Sequence, residues 1–198
     1  QLDELYNLGV RTIFRTHKFD NKLGCSAVED GIMNLGQFLS GGRFFETKEW
    51  DDHTHGQNFT SGFPLIGQVP VLKDILNGIN LNPVYDESIE HCNQNGISPL
   101  GVYLVNRMID KNMLIELDHM SNDTATAVMD IVEARNYSGV VTSHSWMRDA
   151  KNGAVHDNTR RLIEIGGFST PYNSDANSVV GRISRYLDIV EQTPYLNG

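Results

Sequence analysis

The sequence predicts an α/β domain organised on a parallel sheet. Helix-like and strand-like segments alternate along it in the order αβ…αβαβαβα, and alternation of that kind calls for parallel strands joined by helical crossovers. Each strand-like run is short, apolar or β-branched, and closes on polar residues. No Gly-x-Gly-x-x-Gly turn follows any of them, which removes support for a dinucleotide-binding fold. The pattern alone does not separate an open sheet from a closed barrel. An eight-stranded barrel takes about 250 residues, so a barrel reading makes these 198 residues an incomplete one.

The elements follow in order. Leu2, Leu5 and Leu8 stand at helical spacing and Gly9 stops that helix. Val10 to Thr16 is a β-branched run that ends at His17. From about 19 to 97 the chain is rich in Gly, Asn and Asp and reads as a long loop insertion, with one helix near Val69–Leu76. Connections of this length are usually functional or disordered, and a lid over the site is the expected role. Ser98-Pro99 opens a helix over Leu100–Lys111 with Leu100, Tyr103, Leu104 and Met108 on one face. Met113–Leu117 is an apolar strand ending at Asp118-His119, and Ser121 caps the helix that runs to about Arg135. Gly139–Thr142 is a further strand, ending at Ser143-His144. Asp157 or Asn158 caps a helix through Ile165, stopped by Gly166-Gly167; Phe168–Thr170 is a short strand before Pro171-Tyr172. Ser174 or Asp175 opens a last helix toward Val190.

Composition excludes some functions. The net charge of -9 argues against a phosphate-binding surface, so nucleic acid is not an expected partner. No run of about 18 apolar residues occurs, so no membrane span is expected in this segment. Cys25 and Cys92 are too few for a disulfide scaffold and leave the compartment open. The chain starts without methionine inside a helix-like segment, so residues upstream are expected.

The most informative feature is positional. His17, His119 and His144 each fall at the C-terminal end of a predicted strand, the edge where parallel α/β folds build their sites. One histidine there is more often a packing residue than a ligand. Three at equivalent edges would share one pocket, and neutral imidazole is a common zinc ligand. His53 and His55 have His-x-His spacing beside Asp51 and Asp52, but follow no strand and read as a solvated acidic loop. His91 reads as structural, His156 as a possible cap, and Glu116, inside an apolar strand, as a group that needs a partner once buried.

Leu5–Arg11 running on to Thr16-His17, Met113–Ser121 and Val140–Ser145 resemble, in that order, conserved stretches of the renal (membrane) dipeptidase family. The wording around Ser143–Trp146 and Gly166–Tyr172 is more similar to a divergent bacterial branch. The resemblance implies a partial (β/α)8 TIM barrel of the metal-dependent hydrolase type, a single domain over 1–198. It implies two zinc ions per complete enzyme, with His119 and His144 as ligands of one and His17 contacting substrate. It implies cleavage of the amide bond of a dipeptide or similar small amide by a metal-activated water. The remaining ligands are expected outside 1–198, so the segment alone is expected to be inactive. Where the family places a carboxylate-binding arginine, Lys151 is the nearest match, with Arg148 and Arg160 as rivals; Tyr172 is a further candidate for substrate binding. Lysine cannot form the bidentate fork, so an amidohydrolase acting on a lactam, lactone or N-acyl amino acid is the alternative, and a non-catalytic barrel binding protein a third. The expected partners are a small-molecule or dipeptide substrate and a second copy in a homodimer. A secreted or periplasmic location is weighed ahead of a cytoplasmic one.

Overall fold

The computed structural model describes residues 1–29, 31–49, 57–58, 71, 74, 85–86, 88–144, 155–171 and 176–193. Its elements are α1 (Leu2–Asn7), β1 (Thr12–Ile13), α2 (Ile32–Gly41), β2 (Thr47–Glu49), β3 (Gln57–Asn58), β4 (Glu90–Asn93), α3 (Pro99–Asp110), β5 (Leu114–Glu116), α4 (Asn122–Ala134), β6 (Val140–Thr142), α5 (Asp157–Glu164), β7 (Phe168–Ser169) and α6 (Ala176–Gln192). The expected mixed α/β architecture with a parallel sheet is present. Four strands pair in the spatial order β1-β5-β6-β7, all parallel, with Ile13 opposite Ile115, Ile115 opposite Val140 and Val141 opposite Phe168. Strands that lie side by side in chain order, joined by right-handed crossovers, put their helices on one face. A barrel segment and a singly wound open sheet share that arrangement.

Local chemistry sets the helix ends. Ser98 accepts the Gly101 N–H at 3.0 Å and Ser121 accepts the Thr124 N–H at 3.2 Å, so both predicted caps form. For α5 the cap is His156, whose Nδ1 accepts from the Asn158 N–H at 3.1 Å, not Asp157 or Asn158. The helices that lead into parallel strands stop on left-handed residues: Gly9, Asn112, Asn136 and Gly166, at φ 96°, 53°, 47° and 83°. Ser174 and Asp175, expected to open α6, lie outside the described residues.

The core lies between the sheet and the helices. Ile115, Leu117 and Val140 from the sheet meet Val105 and Met108 of α3, Val128, Met129 and Val132 of α4, and Leu162 of α5, all at 0% exposure. The buried stripe of α3 is Gly101, Val105, Met108 and Ile109; Leu100 and Tyr103, expected on it, are exposed. The cause is a close approach: a Cβ on Gly101 would stand 1.8 Å from the Leu23 carbonyl oxygen, so α3 turns its glycine to the 21–24 turn. In α1 the contacts with the core come from Leu2 and Tyr6, while Leu5 and Leu8 are exposed. On the second face of the sheet Phe14, Leu114 and Phe168 remain 42%, 42% and 63% exposed.

The 19–97 segment, read as a loop, carries regular structure. It contributes α2 and a small antiparallel sheet in the order β2-β4-β3. Of the helix expected near Val69–Leu76, Val71 and Asp74 are helical and the other positions lie outside the described residues. The helix α2 carries no legible apolar stripe because its buried residues are polar. Asn34 accepts the Phe45 N–H at 2.9 Å and donates to the Tyr85 hydroxyl at 3.0 Å; Gln37 accepts the Asp20 N–H at 2.9 Å. Its apolar Ile32 and Leu39 face outward. Cys25 and Cys92 are buried free thiols. Among the described residues no helix is long and apolar enough to cross a membrane.

Candidate metal centre

Three neighbouring strand ends supply the cluster. From β1 the chain runs through Phe14 to His17, from β5 through Asp118 to His119, and from β6 through Ser143 to His144. The structure brings these three histidines together. The ring centroids of His17 and His119 are 4.2 Å apart and those of His119 and His144 4.9 Å apart. The Nε2 atoms of His119 and His144 face one another at 2.8 Å. The Phe14 ring lies 5.8, 6.3 and 5.9 Å from the rings of His17, His119 and His144 and forms an apolar wall beside them. His17 is exposed and His119 is 3% exposed, so the cluster has an open side and a buried floor.

The backbone holds His119 in an unusual conformation. Its φ is 65°, which a non-glycine residue adopts only when its surroundings enforce it. The strap after His17 supplies that constraint. Ala27 N–H donates to the His119 carbonyl at 2.8 Å and Ser121 N–H donates to the Cys25 carbonyl at 2.9 Å. The turn thus lies clamped between residues 25–27 and the cap of α4.

Two buried carboxylates order the β6 end. Glu116, the last residue of β5, and Asp118, in the turn that follows it, are 2% and 0% exposed. Glu116 Oε1 accepts the N–H groups of Asp118 at 3.3 Å and Ser143 at 3.1 Å. Asp118 Oδ2 accepts the His144 backbone N–H at 2.9 Å and stands 3.0 Å from His144 Nδ1. Ser143 Oγ is also 3.0 Å from that nitrogen. For Glu116, the Asp118 and Ser143 backbone N–H groups and the Ser143 side chain supply the partners its place in an apolar strand requires. Burial raises its pKa, hydrogen bonding from Ser143 opposes that, and the neighbouring Asp118 charge adds to it. Burial, then the charges of His17, Lys18 and His144, pushes the His119 imidazole down to about 3. It is therefore neutral near pH 7 and has a nitrogen lone pair to offer.

Two imidazole nitrogens on one tetrahedral zinc, each about 2.0–2.1 Å from it, stand about 3.3 Å apart. The His119–His144 contact needs an opening of about half an ångström to reach that, so the pair fits two corners of such a site. Among the described residues no group of three His, Cys, Asp or Glu side chains is arranged to hold a metal. Lys151, Tyr172 and Arg148 lie outside the described residues, as do His53, His55, Asp51 and Asp52. Arg160 is exposed on α5. His91 is structural: its ring nitrogens meet Thr47 Oγ1 at 3.1 Å and the Asp86 carbonyl at 2.8 Å. Sequence reasoning did not single out Phe14 or the ordering role of Asp118. No family model, curated protein or solved structure matches the chain.

Proposed function

We propose that the chain is part of a zinc-dependent hydrolase of the renal dipeptidase type, cleaving the amide bond of a dipeptide or similar small amide on a (β/α)8 barrel. The observation that carries the reading is the convergence of His119 and His144, Nε2 to Nε2 at 2.8 Å, at adjacent parallel strand ends. The sequential order β1-β5-β6-β7 supports the barrel, because a closed barrel winds its strands in this way. The resemblance of the three strand-end segments supports the family.

In this reading His119 and His144 hold one metal. When bound, zinc lowers the pKa of its water toward neutrality and polarises the scissile carbonyl. The chain's own residues do the rest. Asp118 and Glu116 fix the β6 end so that the His144 ring cannot swing away. His17, exposed beside His119, faces an incoming substrate and donates to the oxygen on which negative charge develops. Phe14 keeps water from one side of the histidines. Lysine in place of arginine at 151 favours a second reading, a lactam, lactone or N-acyl amino acid as substrate.

The test is hydrolysis of a panel of dipeptides, N-acyl amino acids and lactones by the full-length protein, loaded with zinc. Zinc-dependent turnover that falls at least a hundredfold in His119→Ala and His144→Ala is expected. No turnover of any class, or turnover unaffected by either substitution, overturns the proposal.

A further inference from the structure

We propose that Asp118 is the positioning residue that keeps the His144 ring proton on Nδ1 and so turns the Nε2 lone pair toward His119. Only its consequence for metal affinity rests on the metal-centre reading above.

A carboxylate has lone pairs and no proton to give near neutral pH. Asp118 Oδ2 lies 3.0 Å from His144 Nδ1, with the carboxylate at 0% exposure and the histidine side chain at 35%, so the carboxylate itself is out of bulk water. At that separation the carboxylate charge repels a nitrogen lone pair on Nδ1 and attracts an N–H there, as a charge contact rather than an aligned hydrogen bond. The ring is therefore the Nδ1–H tautomer, and its second nitrogen is an acceptor. The 2.8 Å contact between the two Nε2 atoms is compatible with this assignment, with His119 donating and His144 accepting. The Ser143 hydroxyl, 3.0 Å from the same Nδ1, also hydrogen-bonds the Glu116 carboxylate and so accepts from Nδ1–H in the same sense as Asp118.

Asp118 is also held independently of the ring. Its Oδ2 takes the His144 backbone N–H at 2.9 Å, while Glu116 takes the preceding N–H, of Ser143, at 3.1 Å. Two carboxylates at the end of β5 thus clip two consecutive amides just after β6. The threonine after β7 adds a third tie, with Thr170 Oγ1 donating to the Ser143 carbonyl. A carboxylate that orients a histidine through one nitrogen and leaves the other basic is the usual outer partner of a metal-bound imidazole.

The discriminating variant is Asp118→Ala, because a single oxygen, Oδ2, meets both the backbone N–H and Nδ1 of His144 and alanine removes it. Ring ¹⁵N–¹H correlation spectra at pH 7.5, with His144 assigned through His144→Gln, read the tautomer directly. The expected result is Nδ1–H in the parent and in Ser143→Ala, and loss of the Nδ1–H preference in Asp118→Ala. Zinc titration should then show roughly 10–100-fold weaker binding in Asp118→Ala. An Nε2–H parent, or a tautomer indifferent to Asp118→Ala, overturns the proposal; if that variant does not fold, the parent spectrum decides. A tautomer preference lost as expected in a protein that binds no zinc supports the positioning role and overturns the metal-centre reading.

Discussion

Replacing Arg15 by methionine should make the protein more stable. Arg15 follows β1 and is 3% exposed. Its Nη2 donates to Met120 Sδ at 3.0 Å, and its Nε and Nη1 atoms are buried without a hydrogen-bond partner among the described residues. Burial pushes the guanidinium down to about 10, yet at pH 7 it still carries its charge. A depression of that size corresponds to a penalty of about 3 kcal/mol for keeping the charge in the folded chain. Methionine removes the charge and the orphaned donors and keeps much of the unbranched stem, at the loss of the contact with Met120 and some volume. The net gain expected is about 2 kcal/mol, which in a chain of this size raises Tm by roughly 4–8 °C. The folded-state pKa is lowered, so the unfolded chain holds the proton more tightly and the parent recovers stability as pH rises through 10. The gap between parent and variant should therefore be full at pH 7–9 and narrow above 10. Thermal unfolding followed by circular dichroism measures it, with Arg15→Lys as the control that keeps a charge and gains nothing. A Tm for Arg15→Met several degrees below that of the parent would refute the reasoning, because it would mean the guanidinium has a compensating partner.

Three further predictions follow from the same geometry. Gly101→Ala should destabilise by about 1–3 kcal/mol or more in urea unfolding, since its Cβ would meet the Leu23 carbonyl oxygen at 1.8 Å; a neutral result would show that α3 and the 21–24 turn can separate. Thr16→Val should be neutral or stabilising in the same assay, because the Thr16 hydroxyl is buried with no hydrogen-bond partner among the described residues. The folded chain resists protonating His119, held down to about 3, so the unfolded chain binds more protons and stability falls as pH drops from about 6.5 toward 3. His119→Gln should flatten that part of the pH–stability curve, and an unchanged slope would count against the depressed value.

The parts legible in the sequence are those where local chemistry and burial agree. In the run Met113–Leu117 the residues Met113, Ile115 and Leu117 are fully buried in the core, so its strand stood out, as did the Ser98 and Ser121 caps. The three histidines could be placed at one edge because a parallel sheet aligns its C-terminal strand ends. The illegible parts are those where polar contacts replace apolar ones. The buried Asn34 and Gln37 of α2 bond backbone amides and a phenol, which leaves no hydrophobic period to read. In α3 the Gly101 approach rotates the helix away from the stripe that Leu100 and Tyr103 suggest. Asp118 escaped notice for a different reason. Its function depends on which backbone N–H and ring nitrogen the next strand presents, and no spacing within its own segment encodes that.

The central claim, that His119 and His144 share a zinc ion, is tested most directly by elemental analysis of the full-length protein purified with zinc, beside His119→Ala and His144→Ala. The account predicts bound zinc in the parent, about two per chain, and a loss in both variants with the fold retained. A zinc-free parent, or zinc retained in both variants, would contradict it.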